Sequence, residues 1–182
     1  MTTILAVKQE SRGLFWMGHS QADKVKSHDR IVRIAAARFR ETGAAGIGVA
    51  DLMKDAGLTH GGFYRHFGSR DELVAEAVEC ALQEGARAVA AAAGAKNAPL
   101  GAVVDAYLST AHRDGLATSC AVATMAADVA RSSDRARTAY TRQVCAYLDL
   151  LGKLIPAGKP RSRRKRAIAA CRPVSACRAD QG

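Results

Sequence analysis

The chain has 182 residues, 5% aromatic residues and four prolines, with a formal net charge of +10 at pH 7. This length allows one domain or two small ones, and the alanine-rich composition favours helices. Because it has no run of about 18 apolar residues and no signal-peptide core, we expect a cytoplasmic protein that does not contact a membrane.

The positive charge is concentrated in two separate segments. Residues 24–70 carry nine Lys or Arg against four Asp or Glu, and residues 159–182 carry eight against one. Residues 71–158 are mildly acidic, with eight basic and ten acidic residues. A basic segment is typical of nucleic-acid binding but also of a solvated tail, so each segment needs its own explanation.

The first two helices are predicted from apolar residues at helical spacing. One such pattern covers residues 27–42 and a second covers residues 49–56. Gly43 is a natural stop for the first helix, and Gly57 gives the chain the freedom for a sharp turn after the second. Arginines occupy the remaining positions of the first pattern, where we expect them to be exposed: Arg30, Arg33, Arg38 and Arg40.

The next segment, LTHGGFYRHF, places two glycines inside what is predicted to be a short helix. On a helical wheel Phe63 and Phe67 share one face with Thr59, while Gly61 and Gly62 lie on the opposite face. Each Gly within a helix costs about 0.5–1 kcal/mol relative to Ala. An outer face without side chains would offset that cost by letting the backbone approach DNA closely.

Three helices in succession, the last two joined by a glycine turn, predict a helix-turn-helix domain. The alternative is that the two glycines mark an ordinary loop. The hydrogen-bond donors on either side favour DNA binding, because such groups reach bases and phosphates. These donors are Thr59, His60, Tyr64, Arg65 and His66.

The apolar residues beyond the Gly-Gly sequence also recur at helical spacing, as far as about residue 152. Ser69 and Glu72 form a predicted capping box for a helix that continues to about residue 93. Further helices are predicted over residues 99–112, 119–130 and 133–152. No strand-like alternation or internal repeat is present, so the sequence predicts an all-α fold.

A resemblance to TetR/AcrR-family transcriptional regulators is carried by the sequence GLTHGGFYRHFGSRDEL, which is similar to the recognition helix and following turn of that family. The upstream sequence HDRIVRIAAARFRETGAAGIGVADLMKDAGL resembles the first two helices of the same domain. The resemblance covers about residues 24–75. It implies an N-terminal three-helix DNA-binding domain followed by a helical ligand-binding and dimerisation domain.

The resemblance also assigns the DNA contacts. Arg70 stands where the family has a phosphate-binding Lys, and Gly48 stands where it usually has Thr. The missing hydroxyl leaves a backbone N–H at that helix N-terminus to serve instead. The implied DNA-binding residues are Gly48, Thr59, His60, Gly61, Gly62, Tyr64, Arg65, His66 and Arg70.

The resemblance implies that the C-terminal helices bind a small hydrophobic or aromatic effector and form a homodimer. Core packing is the alternative explanation for each residue that could line the pocket. The candidates are Tyr107, His112, Cys120, Met125, Tyr140 and Tyr147. The expected organisation is a disordered extension at residues 1–23, a DNA-binding domain at 24–75, a helical domain at 76–158 and a basic tail at 159–182.

Both ends of the chain depart from the pattern. The basic tail could be a second nucleic-acid patch or a solvated disordered segment. We favour a third interpretation, a truncation or frameshift near residue 170, because the sequence there turns to CRPVSACRADQG and loses helical periodicity. Such a change would weaken dimerisation. The start, MTTILAVKQESRGLFW, is interpreted as an extension upstream of the usual family start.

The sequence contains no pattern typical of catalysis. It has no HExxH, no Gly-rich phosphate loop and no constrained Ser/His/Asp or Cys/His set. Its five cysteines have poor zinc spacing, so we expect no metal and no cofactor. The leading hypothesis is a repressor that a small effector releases from a palindromic operator. The alternatives are a dimerisation-impaired regulator and an all-helical binding protein or enzyme with an incidental helix-turn-helix.

Overall fold

The computed structural model describes residues 21–94, 99–155 and residue 165. Within these ranges every regular element is an α-helix or a 3₁₀ helix, so the prediction of an all-α fold is confirmed. None of the helices in the described part is long and apolar enough to span a bilayer. The expectations about residues 1–20 and about the basic tail, apart from Lys165, lie outside the described residues.

Eight α-helices follow one another along the described chain. They are α1 (Gln21–Thr42), α2 (Val49–Asp55), α3 (Arg70–Gly94), α4 (Pro99–Tyr107), α5 (Thr110–Asp114), α6 (Ala121–Thr124), α7 (Ala126–Ala130) and α8 (Asp134–Leu154). Short 3₁₀ helices lie between them at Ala44–Gly46, His60–Arg65 and Leu116–Thr118.

Several elements differ from the sequence prediction. Helix α1 begins at Gln21, inside the predicted extension of residues 1–23. The sequence pattern did not reveal these first turns, because their residues are exposed and show no apolar periodicity. The predicted helix over residues 99–112 is interrupted, since the Ser109 hydroxyl accepts the His112 N–H (3.1 Å) and starts α5. The predicted helix over 119–130 is divided at Met125, which is 1% exposed and packs into the core.

Helix α3 joins two hydrophobic cores. The larger core contains the most deeply buried side chains of α1, α2 and the first half of α3, and it continues into α6, α7 and α8 through Ala121, Met125, Val129 and Ala136. The smaller core contains Val89, Val103, Leu151 and Ile155. Because α3 passes position 75 without a break, the division into domains at that position stays a prediction.

Arg40 is buried rather than exposed, which corrects the expectation from the helical pattern. Arg40 is 7% exposed. Its Nε donates to the Ala36 carbonyl (3.1 Å), and its Nη2 lies 2.6 Å from Glu84 Oε2. The ion pair connects the last turn of α1 to the middle of α3. Periodicity did not reveal it, because the partner lies 44 residues away along the chain.

Removing this cation should destabilise the fold. We expect Arg40→Ala to lower the free energy of unfolding by about 2–4 kcal/mol, since it leaves the Glu84 carboxylate half-buried without its partner. Urea unfolding followed by circular dichroism measures the difference. Arg33→Ala is the matched control on the exposed side of α1, expected within about 0.5 kcal/mol of the parent. Equal stability of the two variants would contradict the structural role of Arg40.

Candidate nucleic-acid interface and adjoining cavity

The turn that follows α2 sets the direction of residues 59–67, here named the Gly-Gly segment. Gly57 has φ 68°, a backbone conformation that favours glycine, and its N–H donates to the Lys54 carbonyl (2.9 Å). The Leu58 N–H donates to the Met53 carbonyl (2.8 Å). These two bonds form a Schellman motif, which ends α2 and turns the chain sharply.

The inner side of the Gly-Gly segment is anchored by aromatic side chains. Phe63 and Phe67 are 2% and 1% exposed, and their ring centroids lie 5.4 Å apart. The His28 ring of α1 stacks on Phe67 at 4.5 Å. The wheel prediction for the two phenylalanines is therefore confirmed. Thr59 was placed on the same face and is exposed, because the segment winds as a 3₁₀ helix from His60 and not as an α-helix.

The outer side of the Gly-Gly segment has room for side chains that it does not carry. A Cβ built on Gly61, which is exposed, would meet no atom within 4 Å. Gly62 was expected on the same outer face but is half-buried, and its Cβ would contact Met53 Cε at 3.5 Å. Neither glycine has a positive φ. Nothing within the described chain requires glycine at position 61.

The predicted donors surround this bare backbone. Thr59, His60, Tyr64 and Arg65 are exposed, and the Tyr64 residue reaches 73% exposure although its ring is apolar. Tyr64 lies edge-on to Phe63 at 5.3 Å, so the buried ring supports the exposed one. The segment thus presents an exposed ring, a guanidinium and two further polar side chains from a firmly packed base.

His66 is the least solvated of these donors. Its Nδ1 is buried and has no hydrogen-bond partner in the described structure. Burial lowers the pKa of His66, and the nearby positive charges of His28, Lys24 and Arg65 lower it further. The neutral form of the imidazole is therefore favoured more than in an unperturbed histidine.

Lys24 is a basic residue that the sequence reasoning did not single out for this surface. It lies on the exposed first turns of α1, close enough to His66 to affect its charge. The only signal in the sequence was its membership of the basic segment at residues 24–70. Its placement beside the Gly-Gly segment depends on how α1 packs, which residue spacing does not show.

Arg70 has partners inside the protein. Its Nη2 donates to the carbonyl of Ala44 and to that of Ile47 (2.9 Å), which fixes the loop before α2. Gly48 is the N-cap of α2 and has no side-chain cap bond. The carboxylate of Asp51 lies beside Gly48 and disfavours a phosphate there. The DNA contacts of Arg70 and Gly48 stay predictions.

The predicted capping box at the start of α3 forms with one change. The Glu72 N–H donates to Ser69 Oγ (3.1 Å), as expected. The Glu72 carboxylate accepts the N–H of Gly68 (2.7 Å) and not that of Ser69. Glu72 therefore fixes the residue that directly follows the Gly-Gly segment.

A cavity of about 110 Å³ lies between α3, α4, α8 and the chain around Ser119. Four of the six predicted pocket residues line it: Tyr107, His112, Cys120 and Tyr147. The other two are not in its lining. Met125 lies in the larger core, and the Tyr140 hydroxyl donates to the Val122 carbonyl (2.7 Å) while its ring packs against that core.

The cavity lining is apolar apart from a few uncharged or weakly basic groups. It contains no Lys, Arg, Asp or Glu. Tyr107 and His112 lie together at one end, with ring centroids 4.8 Å apart. The lining also includes small residues of α3 at spacings of three or four, which the sequence pattern did not reveal: Ala81, Gly85, Ala88 and Ala92.

Among the described residues no group of three or more His, Cys, Asp or Glu side chains could hold a metal ion. Cys80, Cys120 and Cys145 are free thiols. Burial raises the pKa of the Cys80 thiol, and the neighbouring Glu84 raises it further. Cys80 is therefore a poor nucleophile at neutral pH.

Comparison with known families places the Gly-Gly segment within a recognised domain. Residues 31–77 match the family described as "Bacterial regulatory proteins, tetR family". The matched range begins in α1 and ends in the second turn of α3, so it contains α1, α2 and the Gly-Gly segment in one unit.

The chain is 33% identical over 116 residues to an uncharacterized HTH-type transcriptional regulator of Mycobacterium tuberculosis, found in two strains as MT0206 and Rv0196. The alignment covers 61% of this chain and 57% of the length of each relative. The chain thus spans little more than half of the curated relatives that it matches.

Solved structures share the fold over most of the chain. A TetR-family transcriptional regulator from Agrobacterium tumefaciens has a TM-score of 0.68 at 17% identity, covering 87% of this chain and 90% of that one. AibR in complex with isovaleryl coenzyme A and operator DNA has a TM-score of 0.58 at 14% identity, covering 79% and 82%. The sequence match to the tetR family thus covers residues 31–77. The solved structures show a similar fold over most of the chain.

Proposed function

We propose that this chain is a DNA-binding transcriptional regulator that inserts the Gly-Gly segment into the major groove of an operator. The observation that carries the proposal is Gly61, an exposed backbone position where the fold would tolerate a side chain and has none. The match of residues 31–77 to the tetR family of bacterial regulatory proteins supports it. Residues 24–75 would form the DNA-binding domain and residues 76–158 the effector-binding and dimerisation domain, in a protein that works in the cytoplasm.

The exposed side chains divide into two kinds of contact. Tyr64, His60 and Thr59 offer hydrogen bonds and ring contacts to base edges and sugars. Arg65 and Lys24 add positive charge on the same side, where phosphates would lie. Gly62, His66, Arg70 and Gly48 complete the set proposed from the family resemblance.

A homodimer would carry two Gly-Gly segments to successive major grooves, about 34 Å apart, and so recognise a palindromic operator. An effector in the cavity would favour an arrangement of the dimer that no longer fits this spacing. Repression with release by the effector is the mode we propose. AibR, a structural neighbour, was solved with both a coenzyme A ester and operator DNA.

The cavity lining restricts the effector. A cavity of about 150 Å³ in another protein binds benzene, so about 110 Å³ holds a group no larger than one ring. The absence of Lys, Arg, Asp and Glu from the lining excludes a good site for a highly charged ligand. We propose a small uncharged effector with one hydrogen-bonding group directed at Tyr107 and His112.

Measuring DNA binding distinguishes this function from two alternatives. A dimerisation-impaired regulator would bind operator DNA weakly with a shallow salt dependence, and an all-helical enzyme or small-molecule carrier would not bind it. The decisive experiment selects bound duplexes from a random DNA pool and measures their affinity at several salt concentrations. Absence of any selected sequence would contradict the proposed function.

The substitution Gly61→Ala should separate folding from DNA binding. We expect unchanged or slightly higher stability, by up to about 1 kcal/mol, because the new methyl group meets open space and the unfolded chain loses freedom. Affinity for the selected DNA should fall at least tenfold, since the methyl group keeps the backbone away from the groove. Thermal unfolding and fluorescence anisotropy measure the two effects.

Gly85→Ala is the matched control for this substitution, because its Cβ also meets open space but lies far along α3. It should bind the selected DNA like the parent. Full DNA affinity in Gly61→Ala would show that the outer face of the Gly-Gly segment does not approach DNA closely.

Acidification should affect stability and DNA binding in opposite directions through His66. Its pKa is lowered in the folded chain, so the folded state binds fewer protons than the unfolded state. The contribution of His66 to stability is therefore present above pH of about 6.5 and is lost as the pH falls below it. Phosphates near His66 would favour the imidazolium, so DNA affinity should rise by up to about tenfold from pH 7.5 to pH 5.5.

The variant His66→Gln isolates this effect, because His28 and His60 remain. Its DNA affinity and its urea midpoint should both depend less on pH than those of the parent. The same pH dependence of affinity in parent and variant would show that His66 gains no proton on binding DNA.

Filling the cavity should abolish effector binding while leaving DNA binding intact. Gly85→Leu places a side chain into the space that the small residues of α3 leave open. A panel of small uncharged ring compounds, screened by thermal shift, should stabilise the parent and not this variant. Ala91→Leu, exposed on α3, is the control. Stabilisation of Gly85→Leu by the same compounds would place their site elsewhere.

A further inference from the structure

Arg135 of α8 lies between two carboxylates at the start of α3. Its Nη1 is 3.0 Å from Glu72 Oε1, and its Nη2 is 3.6 Å from Glu76 Oε1. The two acids lie one helical turn apart on the same side of α3, so one guanidinium contacts both. Helix α8 is thereby connected to the part of α3 nearest the Gly-Gly segment.

Each of the two acids uses its second oxygen to hold the end of the Gly-Gly segment. Glu72 Oε2 accepts the Gly68 N–H at 2.7 Å. Glu76 Oε2 lies 2.7 Å from Nε2 of His28, whose ring stacks on Phe67. Two separate routes therefore lead from one α8 side chain to residues 67 and 68.

We propose that Arg135 is a positioning residue, which sets the location of the Gly-Gly segment relative to α8 by holding Glu72 and Glu76 in place. A shift of α8 along α3 would move the guanidinium and release the end of the segment. Arg135 thus gives the C-terminal helices direct control over the DNA-binding surface. The inference rests on the proposed function, in which the Gly-Gly segment enters DNA.

The exposure of Arg135 and Glu72 indicates that their ion pair contributes more to the position of the Gly-Gly segment than to the stability of the fold. The Arg135 side chain is 57% exposed and the Glu72 side chain 35% exposed, and such pairs contribute little to folding. The pKa of Glu72 is lowered, first by the Gly68 N–H and then by Arg135. The same carboxylate thus responds to both groups, as a connection between them requires.

The test compares Arg135→Ala with the parent chain on a DNA duplex selected by the parent. We expect the variant to bind about three- to tenfold more weakly with an unchanged salt slope, because no phosphate contact is lost. Amide exchange at Gly68 should become faster in the free protein. A salt slope reduced by about one would mean that Arg135 contacts a phosphate itself, which would overturn the inference.

Two arginines of α8 provide matched controls. Within the described chain Arg137 pairs with Asp134 and the Ser132 carbonyl, so Arg137→Ala removes the same charge without touching α3. Arg142 pairs with Glu79 of α3, farther from the Gly-Gly segment. Both alanine variants should bind DNA like the parent. A loss in Arg142→Ala equal to that in Arg135→Ala would assign the effect to general packing of α8, against the inference.

A variant background tests whether Arg135 acts through the two acids. In a chain carrying both Glu72→Gln and Glu76→Gln, adding Arg135→Ala should change affinity by less than about twofold. A further loss as large as in the parent would overturn the inference. If the parent itself selects no DNA, the proposed function fails; if it binds and Arg135→Ala binds equally well, only the positioning role fails.

Discussion

The continuity of α3 is the constraint on which the rest of the structure depends. Its first half completes the core under the Gly-Gly segment, and Val89 in its second half belongs to the smaller core beside the cavity. A straight helix transmits a displacement at one end to the other, because its backbone hydrogen bonds resist bending. The ion pair between the buried Arg40 and the half-buried Glu84 fixes α1 to the middle of this helix.

The features that can be predicted from the sequence are those whose signal is local. The burial of Phe63 and Phe67 follows from their spacing, and the bond from the Glu72 N–H to Ser69 Oγ follows from a capping pattern three residues long. The DNA-binding hypothesis follows from the donors on either side of the paired glycines, and a family motif of fewer than 20 residues reinforces it. In each case the information lies within about two turns of the residue concerned.

Features that depend on a partner distant in the chain cannot be predicted in this way. From the sequence alone, Arg40 is predicted to be a solvated arginine, because its partner Glu84 lies 44 residues away. Lys24 is one of several charges in the basic segment, and only the packing of α1 places it near His66. Four lining residues of the cavity, including Tyr107 and Tyr147, were predicted from the sequence. The small residues of α3 that also line it were not predicted. A cavity forms where neighbouring helices lack large side chains that would fill the space between them. The residue pattern of one helix does not show which helices face it.

The open space outside Gly61 has a consequence for how this protein can change. Since a methyl group there relieves an entropic cost without a clash, a search for thermostable variants would favour alanine at this position. On the proposed docking, the same substitution separates the backbone from the operator. Selection for a sturdier fold and selection for gene control therefore oppose each other at one residue, and only the second retains the glycine.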